Sequence, residues 1–437
     1  MYKYKDHILT VLFLLSACWI PLNDFGCTLN QLLCVVIVGC SMLSGLKVSL
    51  MQFAFFLPFM SATAFPIFGV NFHAINMLEA ILIIRVLVGQ GVHSTSSATM
   101  NRSWLIGLVV AVIACQLPAV IVYGQNVGNI MKLIINASLF YVVYTIVKAR
   151  FVQPQRLLLI FSFGIIASCI LGFWYHPPLE QLERFGQYDM SEGWMRYKGL
   201  WTDPNFLGMF ALIGSSVCAT YPTENRWFKS ILLCCAIILC FIGSLTLSRM
   251  YIMTFILLIA LYGMNTVAKS RWTVIGLLLL VAVAVPFTMD VIDNISANRS
   301  YTESGITNGR VDRTLALLSD FSLHPFAVFF GVGYENHDVL EGVKAGKTVC
   351  HNTYADLLMQ FGLFGLGLLW GMLIMNIHKM KDLLKFLFKR ESLYFVALLI
   401  CSGGLSTLKY EYLYFITAIF LASYVVERNT EYYEIVE

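Results

Sequence analysis

Apolar residues in this chain come in long unbroken runs rather than at alternate positions or along one helical face. The runs are 15 to 25 residues long, enough for a helix to cross a hydrocarbon layer roughly 30 Å thick. A transmembrane barrel would alternate apolar and polar residues along each strand, and these runs do not. Spans are predicted at 8–22, 27–46, 48–68, 72–90, 104–123, 127–147, 157–174, 204–220, 230–247, 250–264, 272–288, 353–377, 393–408 and 411–426. The thirteenth is interrupted by Gly403 and Gly404. The fold class expected is all-α: a polytopic integral membrane protein with about 14 transmembrane helices (12–14), in which 1–437 form a single membrane domain. Composition agrees, with 58% hydrophobic and only 12% charged residues, about half the charged share of a soluble protein.

Net charge is only +4, so the placement of the cations matters more than their number. Alternate connections hold Lys47; Arg102; Lys148, Arg150 and Arg156; Arg226 and Lys229; Lys269 and Arg271; and the basic run from Lys379 to Arg390. The short connections between them hold only Arg249 and Lys409. By the positive-inside rule both termini are expected to be cytoplasmic. The first stretch, Ile8 to Leu22, follows Lys3 and Lys5 without a small-x-small cleavage site and reads as a retained helix. Two long loops, 175–203 and 289–352, then fall outside, and loops of this length usually carry function or are disordered. Within the second, Asn308 can cap a helix from Gly309 to Leu323 that stops before Pro325. Val311, Leu315 and Leu318 would share one face of it, laying the loop on the membrane surface. Ten of the 12 cysteines lie in or beside apolar runs, where they serve as small apolar residues. Cys27 and Cys350 alone fall in loops, which leaves a disulfide between them open.

Candidate chemistry sits on the outer side. Arg196 and Lys198 precede Asp203-Pro204-Asn205, where Asp203 can cap the next helix and Pro204 suits its first turn. Capping alone would explain that triplet, yet a helix start flanked by cations also favours an anion. Ser248-Arg249 occupies a tight outer turn. Snorkelling would account for Arg249, and so would a phosphate. In the second long loop stand Arg310, the pair Gly331 and Gly333, and His351-Asn352 at the mouth of a helix. His351 can cap that helix, or accept a proton from a hydroxyl. Inside the membrane Glu79 and Arg85 share one helix, about 120° apart and 9 Å along the axis. Arg85 is expected to snorkel, Glu79 to face protein or water, and Lys132 to add to a positive mouth.

Taken in order, these motifs resemble the O-antigen polymerase and O-antigen ligase superfamily of bacterial membrane glycosyltransferases. The resemblance rests on Arg196 with Gly199, Asp203-Pro204-Asn205, Ser248-Arg249, Gly309-Arg310, Pro325, Gly331-x-Gly333, His351-Asn352 and the run from Gln360 to Gly365, about 196–370 in all. The family's tryptophan shortly after the loop arginine is absent, since Val311-Asp312-Arg313-Thr314 follow Arg310. The resemblance implies a glycan donor on undecaprenyl diphosphate, an inner-membrane location and a site facing the periplasm or exterior. Arg196, Arg249, Arg310 and Lys198 would bind the diphosphate; His351 and Arg310 would be catalytic; Asp203, Asn205 and Asn352 would shape the site. A polymerase and a ligase share this donor chemistry and both stay open, with a transporter or flippase as the reading from another class. Expected partners are the lipid-linked oligosaccharide, membrane lipid, a chain-length regulator and a flippase, but no nucleic acid. No cofactor is expected, and no DxD-like acidic cluster stands in the outer loops to hold a metal.

Overall fold

The computed structural model describes residues 2–24, 27–67, 70–88, 102–175, 188–189, 196–201, 203–266, 310–336, 339–340, 350–376 and 380–436. The predicted span at 272–288, most of both long loops, Asn308 and Gly309 lie outside them.

The described chain is almost entirely helical. Helices α1 (Tyr2–Trp19), α2 (Thr28–Leu43), α3 (Leu46–Phe56), α4 (Ala74–Leu87), α5 (Arg102–Tyr123), α6 (Val127–Lys148) and α7 (Pro154–Leu171) form the first half. The second half holds α8 (Pro204–Thr220), α9 (Arg226–Leu245), α10 (Arg249–Thr266), α11 (Arg310–Ser322), α12 (Pro325–Phe330), α13 (Thr353–Asn376), α14 (Met380–Leu387), α15 (Leu393–Ser402) and α16 (Glu411–Val436). Two small antiparallel hairpins interrupt them, Ala64–Ile67 with Val70–His73 and Tyr188–Asp189 with Arg196–Tyr197. A helix stands at every predicted span that lies within the described residues. Five of these, within α1, α5, α6, α7 and α9, are long and apolar enough to cross a membrane by themselves. That establishes an all-α protein of membrane type; the five long helices are fewer than the expected count of about 14.

Helix α8 is the axis of the bundle. Nearly all of its residues are buried, and α7, α9, α10 and α15 pack around it. Helix α9 shows the opposite face of the same physics. Its Trp227, Ile231, Leu233, Ile237 and Phe241 are exposed, as expected for side chains whose solvent is lipid rather than water.

Several expectations are corrected. The segment 353–377 is not one helix: Gly362, at φ 59° and ψ −174°, breaks α13. Helix α15 ends at Ser402, so Gly403 and Gly404 open a connection that runs to Tyr410. The helix of the second long loop ends before Pro325, as expected; Leu317 and Phe321 form its buried face, and no protein covers Val311 and Leu315 among the described residues. Arg85 does not simply snorkel, because its Nη1 donates to the Ser41 carbonyl (3.1 Å) and to Ser49 Oγ (2.7 Å). Cys27 and Cys350 are both free. Burial pushes the Cys350 thiol up to about 11.

Candidate active site at converging helix starts

Asp203 caps α8, as its position suggested. Its Oδ1 accepts the Asn205 amide N–H and the Asn205 Nδ2, each at 2.7 Å. Asn205 is itself buried, and its Oδ1 accepts Ser248 Oγ at 2.7 Å and Arg196 Nη2 at 3.2 Å. Arg196 Nε donates to the Thr246 carbonyl at 2.9 Å. Ser248 Oγ in turn accepts the Tyr251 N–H at 3.3 Å, capping α10. Thus Arg196, from the end of the first long loop, ties the tight turn at 246–248 to the start of α8. Arg249 is half-buried as the first residue of α10, and Lys198 is buried beside Arg196 in sequence. The structure therefore brings together Arg196, Asp203, Asn205 and Ser248-Arg249, which are up to 53 residues apart in sequence.

His351 and Asn352 divide roles that the sequence left open. Asn352 caps α13: its Oδ1 accepts the N–H groups of Tyr354 (3.0 Å) and Ala355 (3.1 Å). His351, just before the cap, is half-buried and has φ 47°. Such left-handed residues other than glycine are uncommon and costly enough to mark sites held by their surroundings. One such hold is adjacent, where Thr314 Oγ1 of α11 donates to the Cys350 carbonyl at 2.7 Å. The backbone of Arg310 thus opens a helix that is fastened next to His351.

Both halves meet at the 403–410 connection. Thr353 Oγ1 donates to the Leu405 carbonyl at 2.5 Å and lies 2.8 Å from Thr407 Oγ1. A Cβ on Gly404 would lie 3.1 Å from Met250 Sδ, and one on Gly403 would lie 3.7 Å from Tyr354. The rings of Phe206 and Tyr410 are 5.1 Å apart. Burial raises the Tyr410 hydroxyl, helped by the charges of Asp203, Glu335 and Glu411. The starts of α8, α10 and α13 therefore surround one connection. Each carries the partial positive charge of a helix N-terminus, offset in part by the side chains of Asp203, Ser248 and Asn352 that already accept their N–H groups.

Sequence reasoning missed the strap formed by 331–336. Gly331 (φ 81°) and Gly333 (φ 98°) let this segment cross the break in α13 at close range. Val332 N–H donates to the Met359 carbonyl (2.8 Å) and Gly333 N–H to that of Gln360 (3.2 Å). Tyr334, fully buried, donates its N–H to Gln116 Oε1 at 2.7 Å, while Gln125 Nε2 donates to the Tyr334 carbonyl at 3.1 Å. The Gly-x-Gly is thus a backbone crossing. Lys132 pairs with Glu335 of the strap at 3.3 Å rather than standing as a free cation. Glu335 and the buried Glu411 gave little sequence signal: each is a single acidic residue next to a span.

These features define a helical membrane protein in which three capped helix starts meet at one end of the bundle, with Arg196, Lys198 and Arg249 beside two of them. Residues 231–370 match the family model described as O-antigen ligase. This bears out the resemblance to the O-antigen polymerase and ligase superfamily, and it supports glycan transfer of that type. The match contains Ser248-Arg249, Arg310, the strap, His351-Asn352 and the Gly362 break, and leaves Arg196 and Asn205 outside it. A comparison with curated proteins finds no match.

Proposed function

We propose that this protein polymerises lipid-linked oligosaccharide repeat units of a bacterial surface polysaccharide. The observation that carries the reading is the convergence of three helix starts around 403–410, with Arg196 and Lys198 before one and Arg249 opening another, within and beside the stretch that matches the glycan-transferring family. The acceptor hydroxyl of an incoming repeat attacks the anomeric carbon of the growing chain. A new C–O bond forms, and the old bond to phosphate oxygen breaks with its electron pair leaving on undecaprenyl diphosphate. The proton lost by the hydroxyl goes to His351, whose neutral imidazole can accept it. Arg249, Arg310, Arg196 and Lys198 meet the charge that accumulates on the leaving diphosphate. Arginine suits this role because its planar fork stays charged and can bind phosphate through two N–H groups. Buried Arg196 also fixes the turn on which Arg249 stands, so its effect on the anion is partly through position.

This reading includes about 14 crossings in the inner membrane, cytoplasmic termini and an external site. A second reading, transfer of a finished glycan to lipid A core or to protein, is favoured by the description of the matching family. Deleting the gene and running a glycan ladder separates the two. Loss of long chains with single repeats still attached supports the polymerase. Loss of every attached glycan supports the ligase and overturns the first reading.

A further inference from the structure

Four elements bring polar groups, some of them fully buried, close together just inside the end of the bundle that carries the converging helix starts. Asn76 and Glu79 come from α4, Lys132 and Asn136 from α6, Tyr334 and Glu335 from the strap, and Glu411 and Tyr414 from the start of α16, with Tyr410 just before it. Glu79 is fully buried and Glu411 is 2% exposed. Asn76 Nδ2 donates to Glu411 Oε1 at 3.0 Å. Neither oxygen of Glu79, nor Oε2 of Glu411, meets a well-placed donor among the described residues. Lys132 is the nearby cation, but it lies 3.3 Å from Glu335, a third carboxylate.

The charges do not balance. Among the described residues, three carboxylates face one ammonium, and the two deepest carboxylates share a single amide. A buried carboxylate left without a compensating partner is strongly disfavoured, and removing one member of a buried charged set is among the costlier changes in a protein. What the pair lacks is one unit of positive charge that can reach unpartnered oxygens on both side chains.

We propose that Glu79 and Glu411 together bind one monovalent cation, either a proton or a sodium ion, between α4 and α16. Occupancy has a structural consequence. Without the cation, Glu79, Glu411 and Glu335 repel one another, and the strap that carries Glu335 is pushed away from α6 and α16. The site thereby links external acidity or sodium to the order of the loop beside the converging helix starts. The inference does not depend on the glycan chemistry proposed above.

The test uses the purified full chain in lipid nanodiscs. Infrared difference spectra detect the carbonyl stretch of a protonated buried carboxyl group, and tryptophan fluorescence follows thermal unfolding. Wild type, Glu79→Gln, Glu411→Gln and the control Glu335→Gln are compared in sodium and choline chloride at equal ionic strength. A bound proton gives a carboxyl band in wild type that either of the first two substitutions removes, with unfolding indifferent to sodium. A bound sodium ion gives no such band, and unfolding temperature rises with sodium concentration in wild type and Glu335→Gln only. Absence of both signatures from wild type overturns the proposal even if a variant fails to fold. So does a signature that survives in both Glu79→Gln and Glu411→Gln.

Discussion

Replacing Gly362 with alanine should force apart the crossing between the strap and the broken helix. Gly362 (φ 59°, ψ −174°) and Gly331 (φ 81°, ψ 165°) both occupy a backbone region essentially reserved for glycine. Forcing another residue into it costs about 1–3 kcal/mol. The added Cβ would also lie 2.5 Å from the Phe329 carbonyl oxygen and press against the amide of Gly331. These are backbone atoms, which cannot swing aside as a flexible side chain can. The two segments must separate, weakening the Val332–Met359 and Gly333–Gln360 hydrogen bonds, each worth about 0.5–1.5 kcal/mol net. The total loss expected is about 2–6 kcal/mol, a large part of an ordinary folding stability of ~5–15 kcal/mol.

Gly367→Ala and Gly371→Ala supply the contrast. They lie in the same helix, with no atom within 4 Å of the added Cβ, and replacing a helical glycine with alanine stabilises by roughly 0.5–1 kcal/mol. Thermal unfolding of the purified chain, followed by tryptophan fluorescence, should rank Gly362→Ala and Gly331→Ala far below wild type. The two controls should sit at or above it. If Gly362→Ala unfolds at the same temperature as Gly367→Ala, the crossing does not hold the loop and the reasoning fails.

Asn205→Ala should cost about 2–4 kcal/mol, since it strands hydrogen-bonding groups of Arg196, Ser248 and Asp203 together; an unchanged unfolding temperature would contradict the keystone role. Arg249→Lys should keep the charge yet lose most polymer, because a point charge replaces a fork; Arg249→Ala should fall by about 10²–10³-fold, read from the glycan ladder at matched protein levels. Because Asn352 already caps α13, His351→Asn and His351→Ala should both fold and both lose turnover, by about 10²–10⁴-fold if His351 takes the proton; near-normal polymer from either removes it from the mechanism. With its thiol pushed up to about 11, Cys350 should hold only about 10⁻³ thiolate at pH 8 and resist maleimide, whereas a cysteine placed at 385 in a cysteine-free background should label only after the cytoplasmic face is opened.

What the sequence made legible was whatever depends on local composition. Long apolar runs mark helices because lipid leaves the backbone no other partner. Asp203 and Pro325 act locally, so their roles as a cap and as a stop could be read directly, whereas the cap expected of His351 belongs to its neighbour Asn352. Contacts between distant segments could not be read this way. Nothing within the Gln360–Gly365 run says that Gly362 is where Gly331 crosses, because the need for glycine arises only when both segments are present. Arg196 bonds to Thr246, and Lys132 pairs with Glu335, across separations that no periodicity encodes.

The arrangement of Arg196 bears on how a lipid diphosphate would be held at this end of the bundle. A lysine there could supply charge, but it could not also bridge the Thr246 carbonyl and Asn205 Oδ1 with a rigid fork. By spending N–H groups on protein, Arg196 fixes two helix starts relative to each other before any substrate arrives. The helix N-termini are fixed as well, since their dipoles belong to the backbone and need no reorientation. On the proposed reading, the helix starts and the turn that carries Arg249 are therefore placed in advance, which is the condition under which electrostatic stabilisation of a leaving group is most effective. It also predicts an order of sensitivity. Substitutions at Arg249 should reduce polymer while leaving the fold intact, whereas substitutions at Arg196 should disturb the two helix starts as well. A Lys at 196 should accordingly fail to rescue either property, because what is lost is the bridge rather than the charge.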